Sequence, residues 1–332
     1  MPETILVLVE QQQSKLNRVS LETIAAAQSI AKDTGWQVEL AVLGNGITAI
    51  AEELAGKKAT RVYAIESPQL AAYTSDATVH VLKEFLSGKQ PKLVLMPHTY
   101  QVRDFAPRLA LALGKTVIPD AVGYKYENGK LLFTRQMFQG KFAADVAFTA
   151  ASGDKLWMVT FQNAAFRGDL VEAGSAPIET VHVTVPDGVI RVRPHEIFKE
   201  DRQAVDLSQA EVIVAVGRGI KEQKNLALAE ELAKLLGGEL AASRPICDAG
   251  WLSLDRQIGS SGQTIAPKLY IALGISGAIQ HIVGMKGSRT IIAINKDAEA
   301  PIFEIADIGV VANLFDVVPS LIEEIKKAKT GA

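Results

Sequence analysis

The chain has 332 residues, enough for two α/β domains, and its 48% apolar and 22% charged content is ordinary for a globular protein. A formal net charge of −2 gives no electrostatic reason to expect nucleic acid as a partner. There is one cysteine, Cys247, so neither an intramolecular disulfide nor an all-cysteine iron–sulfur or zinc site can form, and redox chemistry would need an organic cofactor.

The start, Met1-Pro2-Glu3-Thr4 before the apolar Ile5–Val9, lacks the basic region and small-residue cleavage site of a signal peptide, and it reads as a first strand. No apolar run approaches the ~18–20 residues that span a bilayer. An Arg-rich transit segment is also missing. The expected location is therefore cytoplasmic in a bacterium or archaeon, or the mitochondrial matrix for a mature organelle form.

Strands are predicted at Ile5–Val9, Val38–Leu43, Val62–Ile65 and Leu93–Met96. Helices are predicted at Leu21–Lys32, Thr48–Gly56, Asp76–Leu86 and Arg103–Leu113. This alternation implies a mainly parallel, doubly wound sheet. Gly44-Asn45-Gly46 follows the second strand, but positions 49 and 51 are Ala, so a turn suits it better than a dinucleotide fingerprint. Pro97-His98-Thr99 closes the fourth strand, where a lone histidine points to structure or partner contact. From Val117 the texture changes. Val122–Tyr126, Leu131–Arg135, Ala144–Phe148, Trp157–Phe161 and Val181–Val185 read as strands that extend or edge the first sheet, with Asn128-Gly129 as a hairpin turn. The domain bounds expected from this are 1–190, a charged Pro-containing linker over 191–208, and 209–332.

The second domain is predicted to hold strands Val212–Val216, Leu240–Ala242, Leu269–Leu273, Ile291–Ile294 and Val310–Ala312. Its helices are Asn225–Leu236, stopped by Gly237-Gly238, and Val317–Lys327. Polar groups gather at its strand ends. Gly217-Arg218-Gly219 closes the first, Ser243-Arg244-Pro245 the second, and Gln257-Ile258-Gly259-Ser260-Ser261-Gly262 forms a small-residue loop. Glycines beside an arginine let backbone and guanidinium approach an anion. The strand ending at Leu273 runs through Gly274 and Ser276-Gly277 into Ala278-Ile279-Gln280-His281, a glycine-hinged helix start that points free N–H groups at a pyrophosphate.

The run Leu269-Tyr270-Ile271-Ala272-Leu273-Gly274-Ile275-Ser276-Gly277-Ala278-Ile279-Gln280-His281, with Gly284 and Ala293-Ile294-Asn295, resembles the signature of electron-transfer flavoprotein α subunits along its whole length. The resemblance continues through Lys296-Asp297 and Ala300-Pro301-Ile302-Phe303. It reaches the N-terminal half at Arg103-Asp104-Phe105-Ala106-Pro107-Arg108. It implies two doubly wound α/β domains. The first resembles the adenine-nucleotide hydrolases with added strands and serves subunit docking; the second is a Rossmann-like parallel sheet that binds FAD. Its implied cofactor contacts are Arg218, Ser243, Arg244, Gln257, Ile258, Gly259, Ser260, Ser261, Ser276, Gly277, Ala278, Ile279, Gln280, His281, Asn295, Asn313 and Leu314, with Arg244, Ser261 and His281 tuning the flavin.

Two positions depart from the family pattern. Ser260-Ser261-Gly262-Gln263 stands where the family often has Gln-Thr-Gly-Lys, which removes a methyl group and a charge, and Asn313 replaces an aspartate. The resemblance further implies a heterodimer with a β subunit holding AMP or a second FAD. It implies an electron carrier, not an enzyme with its own substrate. Electrons would come from flavin dehydrogenases such as those for acyl-CoA in fatty acid oxidation, and leave to a quinone reductase or other acceptor. A bifurcating complex using NADH is the main alternative. An NAD(P)-dependent dehydrogenase would need a Gly-x-Gly-x-x-Gly turn that the sequence lacks. A nucleotide sensor built on the first domain would leave Ser276–His281 unexplained.

Overall fold

In the computed structural model, residues 3–12, 15–138, 140–149, 155–195, 205 and 207–330 are described. The chain divides into two compact units, Met1–Phe198 and Lys199–Ala332. Most of the expected linker over 191–208 lies outside the described residues.

In chain order, unit 1 comprises β1 (Thr4–Val9), β2 (Gln11–Gln12), β3 (Lys15–Leu16), α1 (Arg18–Thr34), β4 (Gln37–Gly44), α2 (Thr48–Ala55), β5 (Arg61–Glu66), α3 (Ser75–Lys89), β6 (Leu93–Pro97), α4 (Tyr100–Leu113), β7 (Val117–Glu127), β8 (Lys130–Met137), β9 (Phe142–Val146), β10 (Trp157–Phe161) and β11 (Ile178–His182). Nine of these strands form one sheet in the order β11-β5-β4-β1-β6-β10-β7-β8-β9, antiparallel only among the last three. Alternation along β1 explains the layers. Ile5, Val7 and Val9 join one core with Ile24 and Ile30 of α1, and Leu6 and Leu8 join the other with Leu82 of α3 and Leu109 of α4. Asn128 and Gly129 turn the β7–β8 hairpin with φ of 51° and 75°, which this short polar residue and glycine accept.

Two strand predictions shift. The expected Ala144–Phe148 is Phe142–Val146, because Phe148 leaves the sheet to stack on Trp157 with centroids 5.3 Å apart. The expected Val181–Val185 is Ile178–His182, and it edges the sheet beside β5, at the far end from the other added strands. The chain is held on that route by Gln28, whose Nε2 donates to the carbonyls of Lys58 (3.0 Å) and Glu172 (3.3 Å) while its Oε1 accepts from the Glu172 amide. Val185 lies beyond the strand, buried in the second core.

Unit 2 comprises β12 (Val212–Val216), α5 (Leu226–Leu235), β13 (Glu239–Ser243), α6 (Arg244–Asp248), β14 (Gln257–Ile258), β15 (Leu269–Leu273), α7 (Ile279–Ile282), β16 (Thr290–Asn295), β17 (Ile308–Val311) and α8 (Leu314–Thr330). Its six strands are all parallel, in the order β14-β13-β12-β15-β16-β17. The chain winds outward from β12 one way and then from β15 the other, so the strand order reverses between them. That reversal opens a crevice at the carboxyl ends of β12 and β15, the place where open α/β sheets take ligands.

Candidate functional site

Two backbone crossings and the Leu314 side chain build the mouth of this crevice. Gly217, after β12, lies so close to Gly274, after β15, that a Cβ on it would sit 2.4 Å from the Gly274 carbonyl oxygen. Leu314, at the start of α8, closes the same corner, 3.1 Å from where a Gly274 Cβ would stand. Gly277 has φ of 88°, and a Cβ there would sit 2.2 Å from the Ile302 amide nitrogen, so Ser276-Gly277 packs on the Pro301-Ile302 turn. The Ile302 amide donates to the Ser276 carbonyl (3.1 Å), and Asn295 braces the crossing by donating Nδ2 to the Ile275 carbonyl (2.9 Å).

The loop after β14 packs on α7. The Ser260 amide donates to the Gln280 carbonyl (2.7 Å), and a Cβ on Gly284 would sit 2.4 Å from the Gly259 nitrogen. Gln257 is buried and donates Nε2 to Ser261 Oγ (3.0 Å), so the hydroxyl in the family's threonine position is already tied to the loop. Helix α7 is a single turn, shorter than the expected helix, because the chain bends at once to bring Gly284 against Gly259. Among the described residues the amides of Gly277, Ala278, Ile279 and Gln280 find no acceptor. Ser276, Ala278, Ile279 and Gln280 are exposed beside them.

His281 faces inward. It is 6% exposed, its Nε2 lies 2.8 Å from the Tyr270 hydroxyl, and its Nδ1 is buried without a hydrogen-bond partner. Burial pulls its pKa down to about 4, partly offset by the nearby Ile258 backbone, so the ring is neutral at pH 7. The other anticipated residues are more dispersed. Arg218 is exposed in the turn after β12, and its guanidinium makes no ion pair among the described residues. Ser243 is buried at the end of β13, while Arg244 is exposed at the start of α6, with Nε 3.2 Å from Asp248 Oδ2. Asn313 is exposed and accepts at Oδ1 from the Phe315 amide (3.4 Å), a local turn at the entry to α8. Thus the structure joins Gln257–Ser261 with Gln280-His281, and Gly217 with Leu314. Arg218, Arg244 and Asn313 remain on separate strand ends along one edge of the sheet.

Two residues outside the expected cofactor contacts take part. Tyr270 supports His281 from β15, and its place in the long motif was visible, though not its direction. Gln263 grips the chain entering unit 2: its Nε2 donates to the Val205 carbonyl (3.1 Å) and its Oε1 accepts from the Leu207 amide (3.1 Å). No sequence signal marks that grip.

Unit 1 also reverses its strand order, between β1 and β6, but its polar groups there are spent on one another. The Glu10 carboxylate accepts from Asn17 Nδ2 (2.9 Å) and from Thr99 Oγ1, and burial raises its pKa. His98 shares a 2.7 Å hydrogen bond through Nδ1 with Thr160 Oγ1, and burial lowers its pKa. These side chains are committed to one another and to the fold.

Two family models match the chain: an electron transfer flavoprotein domain over residues 5–186 and an electron transfer flavoprotein FAD-binding domain over residues 206–286. An electron transfer flavoprotein subunit alpha from Bacillus subtilis is 38% identical, covering 98% of each chain. A protein named FixB from Clostridium saccharobutylicum is 35% identical over 97% of this chain and 96% of its own. An acryloyl-CoA reductase electron transfer subunit beta from Anaerotignum propionicum is also 35% identical, over 98% of this chain and 96% of its own.

Proposed function

The chain belongs to the electron transfer flavoprotein family as an α subunit, and from that premise we propose that it holds FAD along the strand ends of unit 2 and carries electrons between partner proteins. The observation that carries this reading is the contrast between the two order-reversal points. In unit 1 the side chains of Glu10, Asn17, Thr99, His98 and Thr160 satisfy one another. In unit 2, among the described residues, the amides of Gly277–Gln280 have no acceptor and the exposed Arg218 has no ion pair, which leaves donors for a ligand. This donor set suits an extended dinucleotide with an anionic middle. The bound flavin supplies the reversible electron-accepting ring.

The residues of this chain divide the remaining work. The glycines at Gly217, Gly274 and Gly277 let neighbouring backbone segments pack closely around the mouth of the crevice. Arg218 and Arg244 set positive charge at two strand ends, and a cation near a flavin favours its electron-rich form. Ser261 and Gln257 hold the loop, and Asn295 holds the backbone beneath Ser276. A β subunit completes the assembly, with flavin dehydrogenases as donors, acyl-CoA dehydrogenases among them, and a quinone reductase or other acceptor downstream. A cytoplasmic location fits these partners, and among the described residues no helix is long and apolar enough to cross a membrane.

The relative named as an electron transfer subunit of acryloyl-CoA reductase favours a second reading, a bifurcating complex fed by NADH. Flavin stoichiometry separates the two. One FAD per heterodimer supports the simple carrier, and two support bifurcation. Substituting Arg218→Ala tests the site: FAD affinity should fall about tenfold, the loss of one charge-assisted contact worth ~1–2 kcal/mol. An unchanged dissociation constant, measured by flavin fluorescence, would remove Arg218 from the cofactor.

A further inference from the structure

We infer that Tyr270 is a positioning residue beside the cofactor crevice, its hydroxyl fixing His281 as the tautomer protonated at Nδ1. The inference rests on reading unit 2 as the FAD-binding unit, since it names what holds one wall of that crevice.

Tyr270 lies in β15 with no exposure, packed in a core with Ile213, Ala272 and Met285. Among the described residues the only hydrogen-bond partner of its hydroxyl is His281 Nε2, at 2.8 Å, with the two rings tilted at 56°. A neutral imidazole has one donor nitrogen and one acceptor nitrogen. If Nε2 carried the proton, it would donate to the tyrosine oxygen. The tyrosine O–H would then be a buried donor without an acceptor, and Nδ1 a buried acceptor without a donor. If Nδ1 carries the proton, the tyrosine donates to Nε2 and a single group, Nδ1–H, is left over. Each buried unsatisfied group costs about 1–3 kcal/mol, so the second arrangement wins.

Burial supports the assignment twice over, holding the phenol protonated and the imidazole neutral. His281 itself stands beside the Gln257–Gly262 loop: α7 holds that loop through the Ser260 amide and Gln280 carbonyl, and a Cβ on Gly259 would lie 3.5 Å from the His281 Cα. Tyr270 thus fixes, from the strand beneath, which nitrogen of the His281 ring carries its one hydrogen-bond donor.

The test is nitrogen-15 NMR of histidine-labelled, FAD-loaded protein with its partner subunit. The chain has five histidines, and His281→Gln identifies the signals of His281 by their loss. The expected result is a protonated Nδ1 and an unprotonated Nε2 in the parent protein. In Tyr270→Phe, which removes one oxygen, the Nε2-protonated form should gain population and the first reduction potential should shift while FAD stoichiometry stays the same. A parent protein protonated at Nε2 overturns the inference without any variant. A Tyr270→Phe protein that keeps the Nδ1–H pattern and the parent potential also overturns it. A complex that contains no flavin would instead defeat the functional reading, and the tautomer of His281 would still be read from its nitrogens.

Discussion

Glu22 on α1 is the clearest case of a side chain placed against its own chemistry. It is 9% exposed and accepts at Oε2 from the Ala164 amide (2.6 Å), and burial lifts its pKa from 4.5 to about 8. The folded state therefore holds a proton that the unfolded state gives up above about pH 4.5. The stability this proton contributes is complete below that pH and lost as pH rises through about 8. Glu22→Gln keeps the acceptor and removes the charge, so it should stabilise the protein at pH 8 by roughly 1–2 kcal/mol and flatten the pH dependence. Urea unfolding at pH 6 and pH 8 checks this; a variant with the parent's pH slope would clear Glu22 of responsibility. At this scale the sequence placed residues along the chain better than in space. The motif located His281 beside the crevice, yet its spacing could not say that the ring turns inward to Tyr270, because a single helical turn followed by a bend replaces the expected helix. Asn313 shows the same limit. Its alignment with an acidic position was readable, but its local hydrogen bond to the Phe315 amide was not.

At the scale of elements, hydrophobic runs were the reliable guide. The buried runs at Val212–Val216 and Leu269–Leu273 read without error because a parallel strand covered on both faces is continuously apolar. Strands Phe142–Val146 and Ile178–His182 were displaced because both are edge or near-edge strands with alternating exposure, where stacking and long-range pairing decide the register. The loop around Ser261 is set by non-local contacts as well. Gln263 closes it through its backbone, with its amide donating to the Gln257 carbonyl (2.7 Å), and holds Val205 and Leu207 through its side chain. Gln263→Ala should therefore speed hydrogen exchange at the Leu207 amide by tenfold or more, the loss of about 1.4 kcal/mol of local protection. Exchange at the parent rate would show that Leu207 is held by its core packing alone. Gly277 is the more severe constraint. Gly277→Ala places a methyl group on the Ile302 nitrogen at positive φ, a strain of about 1–3 kcal/mol or more, and should leave the purified complex depleted of flavin. Full flavin content in that variant would mean that the Ser276–Ile302 crossing can move aside without consequence.

At the scale of the whole molecule, each unit carries its own pair of hydrophobic cores, one on each face of its sheet. Flavin-free protein should then unfold in two calorimetric transitions, and a ligand that binds one unit should raise only that unit's transition. Added FAD is expected to raise the transition of unit 2 alone. The most direct measurement is the visible absorption spectrum of the chain co-purified with its β subunit, beside that of the same complex carrying Gly277→Ala. The parent complex should show oxidised flavin bands, and the variant should lose the flavin held by this chain. A colourless parent complex, or a variant that keeps its full flavin spectrum, would contradict the placement of FAD along the strand ends of unit 2.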